Sequence, residues 1–497
     1  MAVTRRELLK TGFGAAGLLP PSARGAAEDR LNVLLICVDD LRPLLACYGY
    51  RDMHTPNIDR LALTGRIFER HYVQSAVCGP SRCSLLTGVP QSSWDCWDRL
   101  RGQVNAPEYP ASLAHLFRRN GYRTVAIGKV SHQPGGVMDN AQRVHQVPFS
   151  WDSTYAPVGD WQTPWRAFFA YSGAKAYNSA SLPKAERDEP RLPYESAEVE
   201  DTGYPDGLNA EDAIRQLREL KQRAAPFFLA VGFYKPHLPF CAPKRYWDLY
   251  DRNAPLVTNP FPSRNTDPAI SIHPSSELTR NYLWPAGPGR VDTEQARTLR
   301  HGYKACVSYT DAQVGKVLDE LARLALDRTT VVVLWGDNGW HLGEHAVWGK
   351  HTNYEVATRT PLIIRTPGML SPGKAAAALA ETVDIYPTLA DLCGLKPPRG
   401  LAGDSLRPVL RNPLHPGKTQ TFSFFPRGDL MGRTIRTDRY RLVRWTKPNG
   451  DVAQTELYDH MTDPGEDVNI AAERTALTAK LLRRLPPLSY IHPRWGE

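Results

Sequence analysis

The chain has 497 residues, 42% of them hydrophobic, and a formal net charge of +9. That length is too great for one small core and implies a large α/β domain with a smaller companion. The charge favours an anionic partner, but there is no zinc-ligand spacing and no basic helix with interleaved aromatics, which excludes the nucleic-acid-binding classes.

The N-terminal stretch Thr4-Arg5-Arg6-Glu7-Leu8-Leu9-Lys10 is followed by a weakly apolar run from Gly12 to Leu19 and by small residues Gly25 and Ala27. It resembles a twin-arginine export signal. Removing residues 1–27 leaves a mature chain of about +6. The apolar run falls well short of the ~20 residues of a spanning helix, so no membrane span is expected. The implied address is periplasmic or secreted in a bacterium, with the twin-arginine translocase as a partner that passes folded cargo.

Leu31 to Val38 is a continuous apolar run ending in Asp39-Asp40. It reads as a buried central strand that delivers two carboxylates at its C-terminal edge, where open α/β sheets bind ligands. Adjacent acids repel unless a cation or a basic group sits between them, so both read as metal ligands. Asn57 to Phe68 reads as a helix. In Val77-Cys78-Gly79-Pro80-Ser81-Arg82, Gly79 and Pro80 make a bend and Ser81 is an N-cap for a helix whose apolar face begins at Leu85-Leu86. Cys78 then lies beside a helix N-terminus, where thiols have depressed pKa values and face solvent or substrate. Ala111 to Asn120, opened by Pro110 and closed by Gly121, is a helix. It feeds a strand, Thr124 to Ile127, that exits into Gly128-Lys129-Val130-Ser131-His132.

Residues 150–205 are rich in Trp, Tyr, Ser and Pro without periodicity, an irregular excursion suited to walling a substrate cleft. Asn209 to Ala224 is an amphipathic helix with Ile214, Leu217 and Leu220 on one stripe. The strand Phe227 to Phe233 exits into Tyr234-Lys235-Pro236-His237-Leu238-Pro239-Phe240, whose prolines present His237. Thr293 to Leu326 is a long helical pattern with room for one break. The strand Thr330 to Trp335 ends in Gly336-Asp337-Asn338-Gly339, so another acid stands at a strand exit. Such hard oxygen ligands suit Ca²⁺ or Mg²⁺ rather than zinc. The polar loop His341 to Lys350, a strand Leu362 to Arg365 and a helix Asp384 to Cys393 follow. Past Leu410 the texture changes to short strands, Thr421 to Phe425, Thr434 to Arg436, Arg439 to Arg444 and Glu456 to Tyr458, then a helix near Ala472 to Leu485. The expected division is therefore a catalytic α/β domain, 28–412, and an antiparallel-sheet subdomain with one helix, 413–497. Of the eight cysteines, seven remain when Cys78 is set aside, so at least one is free or intermolecular. Cys37 and Cys393 read as structural.

Taken alone, a cysteine is more often a buried structural residue. But Cys78-Gly79-Pro80-Ser81-Arg82 with Leu86-Thr87-Gly88 resembles the signature of type I sulfatases, whose cysteine is oxidised after synthesis to formylglycine (3-oxoalanine). Gly128-Lys129-Val130-Ser131-His132, Lys235-Pro236-His237 and Asp337-Asn338-Gly339-Trp340-His341 are similar to the iduronate-2-sulfatase branch. Ile435-Arg436-Thr437, Tyr440-Arg441 and Glu456-Leu457-Tyr458-Asp459 extend the likeness into the C-terminal part. That branch has His where this chain has Asn338, although Asn is usual in sulfatases at large.

The resemblance implies an alkaline-phosphatase-like fold, a large mixed sheet flanked by helices with a smaller C-terminal subdomain. It implies a sulfated carbohydrate substrate, a 2-O-sulfated uronate, and a formylglycine-generating or sulfatase-maturing enzyme that modifies Cys78. Asp39, Asp40, Asp337 and Asn338 would hold a divalent ion, Ca²⁺ with Mg²⁺ as the alternative, against the hydrated aldehyde made from Cys78. Sulfate monoesters are anionic, so an anionic nucleophile needs a cation and basic side chains beside it. By the same resemblance Arg82 polarises the nucleophile, Lys129 and Lys350 clamp sulfate oxygens, His237 protonates the leaving alcohol, and His132 is the base that lets sulfate depart. Three alternatives stay open at this point: a phosphate or phosphonate monoester hydrolase of the same superfold, an aryl or choline sulfatase, and a sulfated-glycan-binding protein with unconverted Cys78.

Overall fold

The computed structural model describes residues 30–487 except 102–111, 140–143, 254–256, 258 and 284–290. The segment read as an export signal, 1–27, lies outside these residues, as do Pro110 and Ala111 of the predicted helix start.

The apolar runs become strands of one eight-stranded mixed sheet. Strands β1 (Asn32–Val38), β2 (Arg66–Tyr72), β3 (Arg123–Gly128), β4 (Ser153–Tyr155), β5 (Phe227–Phe233), β6 (Thr330–Gly336), β7 (Arg359–Arg365) and β8 (Ala375–Glu381) lie in the order β8-β2-β7-β6-β1-β5-β3-β4. From β6 to β4 all neighbours are parallel, whereas β7 runs antiparallel to both β6 and β2. Every residue of β1, β5 and β6 is buried, which is why these strands read as unbroken apolar runs. Alternate side chains of β1 serve two cores. Leu34, Ile36 and Val38 pack with helices α1 (Pro56–Thr64), α4 (Pro205–Lys221) and α5 (Thr293–Arg323). Val33, Leu35 and Cys37 pack with α2 (Cys78–Thr87), α3 (Leu113–Arg119) and α6 (Ile385–Leu392). The C-terminal ends of β1, β3, β5 and β6 therefore meet at one edge of a covered sheet, where the polar loops must gather.

Strands β9 (Gln420–Arg427), β10 (Leu430–Thr437), β11 (Tyr440–Thr446) and β12 (Val452–Asp459) form a consecutive antiparallel sheet. Its inner residues Ile435, Leu442 and Leu457 cluster with Leu481 of α7 (Thr475–Leu482). This sheet is tied to the large one by polar contacts. Ser423 Oγ donates to Val73 O at 2.6 Å, and buried Arg441 pairs with Glu355 at 2.5 Å and Glu466 at 2.7 Å.

Several expectations change. The helix expected over Asn57 to Phe68 stops at Thr64, because Gly65 turns extended and Ile67 and Phe68 pair with Ile363 and Leu362 in the sheet. β8, Ala-Ala-Ala-Ala-Leu-Ala-Glu, gave no strand signal, since alanine has weak strand preference and pairing with β2 decides the outcome. The excursion contributes an edge strand, β4. α5 runs unbroken for 31 residues from a capping box made by Asp292 and Gln295. None of the eight cysteines is in a disulfide. Among the described residues no helix is long and apolar enough to cross a membrane.

Candidate active site

β1 delivers Asp39 and Asp40 to the sheet edge, and Asp40 takes a left-handed conformation (φ 55°) that turns the chain there. Its backbone N–H donates to Asp337 Oδ1 at 2.9 Å, which joins the exits of β1 and β6. Both carboxylates are fully buried, as are Asp337 and Asn338.

Cys78 is the first residue of α2 rather than a residue preceding it. Val77 is the extended N-cap and offers no side-chain cap; Ser81 lies inside the helix, where its hydroxyl donates to Asp337 O at 2.5 Å. Cys78 Sγ lies 3.2 Å from Asp39 Oδ1, 3.2 Å from Lys350 Nζ and 3.9 Å from Asp40 Oδ1. The expectation of an exposed thiol with a depressed pKa is overturned. Cys78 is 3% exposed, and burial with the Asp39 charge pushes the thiol well above its ordinary value, against the pull of Lys129 and Lys350. An unmodified thiol there is a poor nucleophile.

Arg82, one turn along α2, is fully buried. Its Nε donates to Asp337 Oδ2 at 2.7 Å, its Nη2 lies 3.5 Å from Asp39 Oδ1, and its Nη1 donates to the Lys129 carbonyl. Lys129 Nζ donates to Asp39 Oδ2 at 2.5 Å and sits 4.0 Å from the centre of the Phe168 ring. Lys350 Nζ reaches both oxygens of Asp40, at 2.7 and 3.0 Å. The backbone holding Lys129 depends on glycine. Gly128 has φ +68°, and a Cβ on Gly232 would come 2.0 Å from the Lys129 carbonyl oxygen. Gly232→Ala is accordingly expected to cost about 1–3 kcal/mol of stability and to lower turnover by displacing Lys129. Thermal melts and kcat check this, and an unchanged Tm would contradict it.

His237 is held at Nδ1 by the Leu238 carbonyl at 2.6 Å, which leaves Nε2 3.1 Å from Glu277 Oε1 and 3.7 Å from Asp40 Oδ2. His132 stands apart from the carboxylates. Its ring packs between Trp94 (4.7 Å) and Trp165 (5.5 Å), its Nδ1 makes no hydrogen bond, and burial with the Lys129 charge pushes it well below the usual imidazole range.

The acidic cluster is able to hold a metal ion. Ligand atoms of Asp39, Asp40, Cys78 and Asp337 all lie within 4.8 Å of one another. Burial alone would raise Asp39, yet Lys129 and Arg82 hold it well below the ordinary carboxylate range. Burial pushes Asp337 up to about 8 against the pull of Arg82, with Asp39 adding to the rise. Without a cation, burial and mutual repulsion work against ionising all three carboxylates at neutral pH. Asn338 Nδ2 donates to Asp40 at 2.7 Å, while its buried Oδ1 has no hydrogen-bond partner. An orphaned oxygen beside three carboxylates fits a hard divalent ion.

Cys78, Lys129, His132, His237 and Lys350 line one cavity of about 380 Å³. Trp165, Phe168 and Phe169 from the irregular excursion form part of its wall, together with Trp94, which packs against Gly79, where a Cβ would come 2.2 Å from the indole. Sequence reasoning did not single out Glu277 and His351, which also line it. Glu277 lies in a four-residue helix, Ser276–Thr279, too short to carry a periodic signal.

Residues 31–395 match the family described as sulfatase, and residues 343–489 match N-sulphoglucosamine sulphohydrolase, C-terminal. The chain is 33% identical to the iduronate 2-sulfatase of Homo sapiens, over 90% of this chain and 92% of that protein. It is 32% identical to the iduronate 2-sulfatase of Mus musculus, over 91% and 93%. The solved phosphonate monoester hydrolase of Agrobacterium radiobacter is similar in fold, with a TM-score of 0.70, 23% identity and coverage of 92% of this chain and 94% of that one.

Proposed function

This chain belongs to the sulfatase family, and we propose that the sulfate ester it hydrolyses is a 2-O-sulfated uronate on a glycan, cleaved with a formylglycine made from Cys78. The observation that carries the reading is the meeting of Cys78 and two lysines, which line the cavity, with four buried oxygen-donor side chains packed against them, Asp39, Asp40, Asp337 and Asn338. Likeness to iduronate 2-sulfatases over nine-tenths of the chain supports the sugar. Membership of a hydrolase family sets aside the glycan-binding alternative.

A cation held by Asp39, Asp40, Asp337 and Asn338, Ca²⁺ with Mg²⁺ as the alternative, supplies Lewis-acid polarisation and offsets negative charge. The modified side chain at position 78 supplies an oxygen nucleophile that a buried thiol does not. Arg82 fixes Asp337 and Asp39 relative to α2 and contributes positive charge beneath the site. Lys129 and Lys350 present ammonium groups to the sulfate oxygens. His237, oriented by the Leu238 carbonyl, protonates the leaving alcohol from Nε2. His132, kept neutral by burial, is the base for sulfate release. Trp94 and Trp165 offer faces to a sugar ring.

A formylglycine-generating or sulfatase-maturing enzyme converts Cys78, and export follows the twin-arginine route. Eight cysteines without a disulfide suit a chain that completes folding in a reducing compartment first. The division at residue 412 belongs to the same reading.

The test is kcat/KM across defined esters. A 2-sulfated uronate should be turned over at least about tenfold more efficiently than a 6-sulfated hexosamine or an aryl sulfate, because basic groups unpaired by their smaller charge count against them, and more efficiently than the matching phosphate ester. The advantage should shrink as salt rises. Equal or better values on carboxylate-free sulfated sugars would remove the uronate preference and leave the sulfatase chemistry.

A further inference from the structure

Glu277 stands in the cavity without a part in the chemistry above. A carboxylate beside the sulfate position works against binding an anionic ester, so its presence calls for a compensating effect in the reaction itself. Its surroundings supply one. Oε1 lies 3.1 Å from His237 Nε2 and 3.6 Å from Lys350 Nζ, and Oε2 lies 4.0 Å from His351 Nδ1. The segment that carries it is fastened to the lysine's own loop. His273 Nε2 is 2.6 Å from the Lys350 carbonyl, the Ser275 N–H donates to His273 Nδ1 at 3.0 Å, and the Trp348 N–H donates to Ser275 Oγ at 2.9 Å. Glu277 and Lys350 are therefore tied into one hydrogen-bonded assembly. His237 is gripped at both ring nitrogens, by the Leu238 carbonyl and by Glu277, so its ring has one orientation.

We infer that Glu277 is a positioning residue, which aims the His237 Nε2 edge and the Lys350 ammonium at the bond to be broken. The inference rests on the role given to His237 above. As the bond from sulfur to the ester oxygen breaks, its electron pair goes to that oxygen, which takes the proton from His237 Nε2, while sulfur bonds to the attacking oxygen. Poor leaving groups such as sugar alcohols need that proton, and phenols need it far less.

The experiment compares matured wild type with Glu277→Gln and Glu277→Asp on a sulfated sugar and on an aryl sulfate. Glu277→Gln should lower kcat on the sugar by at least about tenfold, lower it on the aryl ester by less than about threefold, and leave KM equal or reduced on both. Glu277→Asp, which keeps the charge, should restore part of the sugar kcat, and it carries the test if the Gln variant is unstable. In a His237→Ala background the Gln substitution should add less than about twofold, because it acts through that ring. Equal losses on both esters, a raised KM at unchanged kcat, an additive loss beside His237→Ala, or a loss of bound metal would each overturn the inference. Wild type inactive on both esters overturns the underlying reading of the site, whereas active wild type with an unimpaired Glu277→Gln overturns the role of Glu277 alone.

Discussion

Cys78→Ala should fold normally and lose turnover by about four orders of magnitude or more, the scale on which removing a covalent nucleophile acts. The fold is expected to tolerate the change. The side chain is small, alanine is the best helix former, and Cys78 occupies the first position of α2, whose other nine residues are also buried and keep their packing. The thiol's neighbours, Asp39 and Lys350, each retain other partners, Lys129 and Asp40. Thermal melts should shift by only a few degrees, which corresponds to about 1 kcal/mol. Peptide mass spectrometry across position 78 of the wild type should find an aldehyde in place of the thiol. Near-normal sulfatase activity in Cys78→Ala would sink the mechanism, and an intact thiol in active wild-type protein would do the same.

Much of the site was legible because of how a covered sheet writes itself into sequence. β1, β5 and β6 are buried on both faces, so they appear as unbroken apolar runs, and whatever polar residues follow them must lie at the ligand-binding edge. That logic points to Asp39, Asp40, His237, Asp337 and Asn338 as candidates, and to Lys129 after β3, and the structure gathers them at this edge. What was missed lacks such a local mark. Glu277 owes its place to the pairing of its segment with the Lys350 loop, a tertiary fact. β2 is a strand because it pairs with both β8 and β7, and β8 because it pairs with β2, not because of strand-like composition. The character of Cys78 failed for a different reason. A helix N-terminus lowers a thiol's pKa when the thiol is solvated, but here burial and an adjacent carboxylate outweigh it.

Asp40→Ala, or thorough chelation of the wild type, should reduce activity by about a thousandfold or more. Added Ca²⁺ should restore the chelated wild type and leave the variant inactive. Asp40 serves two neighbours at once, since its Oδ1 accepts from both Lys350 and Asn338 at 2.7 Å. Its loss takes away the nearest counter-charge of the buried Lys350 ammonium, leaving Glu277 at 3.6 Å, and removes a ligand oxygen together, so the variant should be less stable as well as inactive. Chelation separates the two effects. In metal-free protein, burial holds the Asp337 pKa at about 8, above its unfolded value, so folding takes up a proton there. A raised pKa gives stability that is complete below the unfolded value of 3.8 and is lost as pH rises through about 8. The melting temperature of chelated protein should therefore fall between mildly acidic and mildly alkaline pH. Cation-loaded protein should lack that decline, because the ion takes the place of the proton. Full activity in a preparation shown to be metal-free would exclude the cation from the reaction. A chelated protein whose stability ignores pH across this range would show that Asp337 is not the group the ion neutralises.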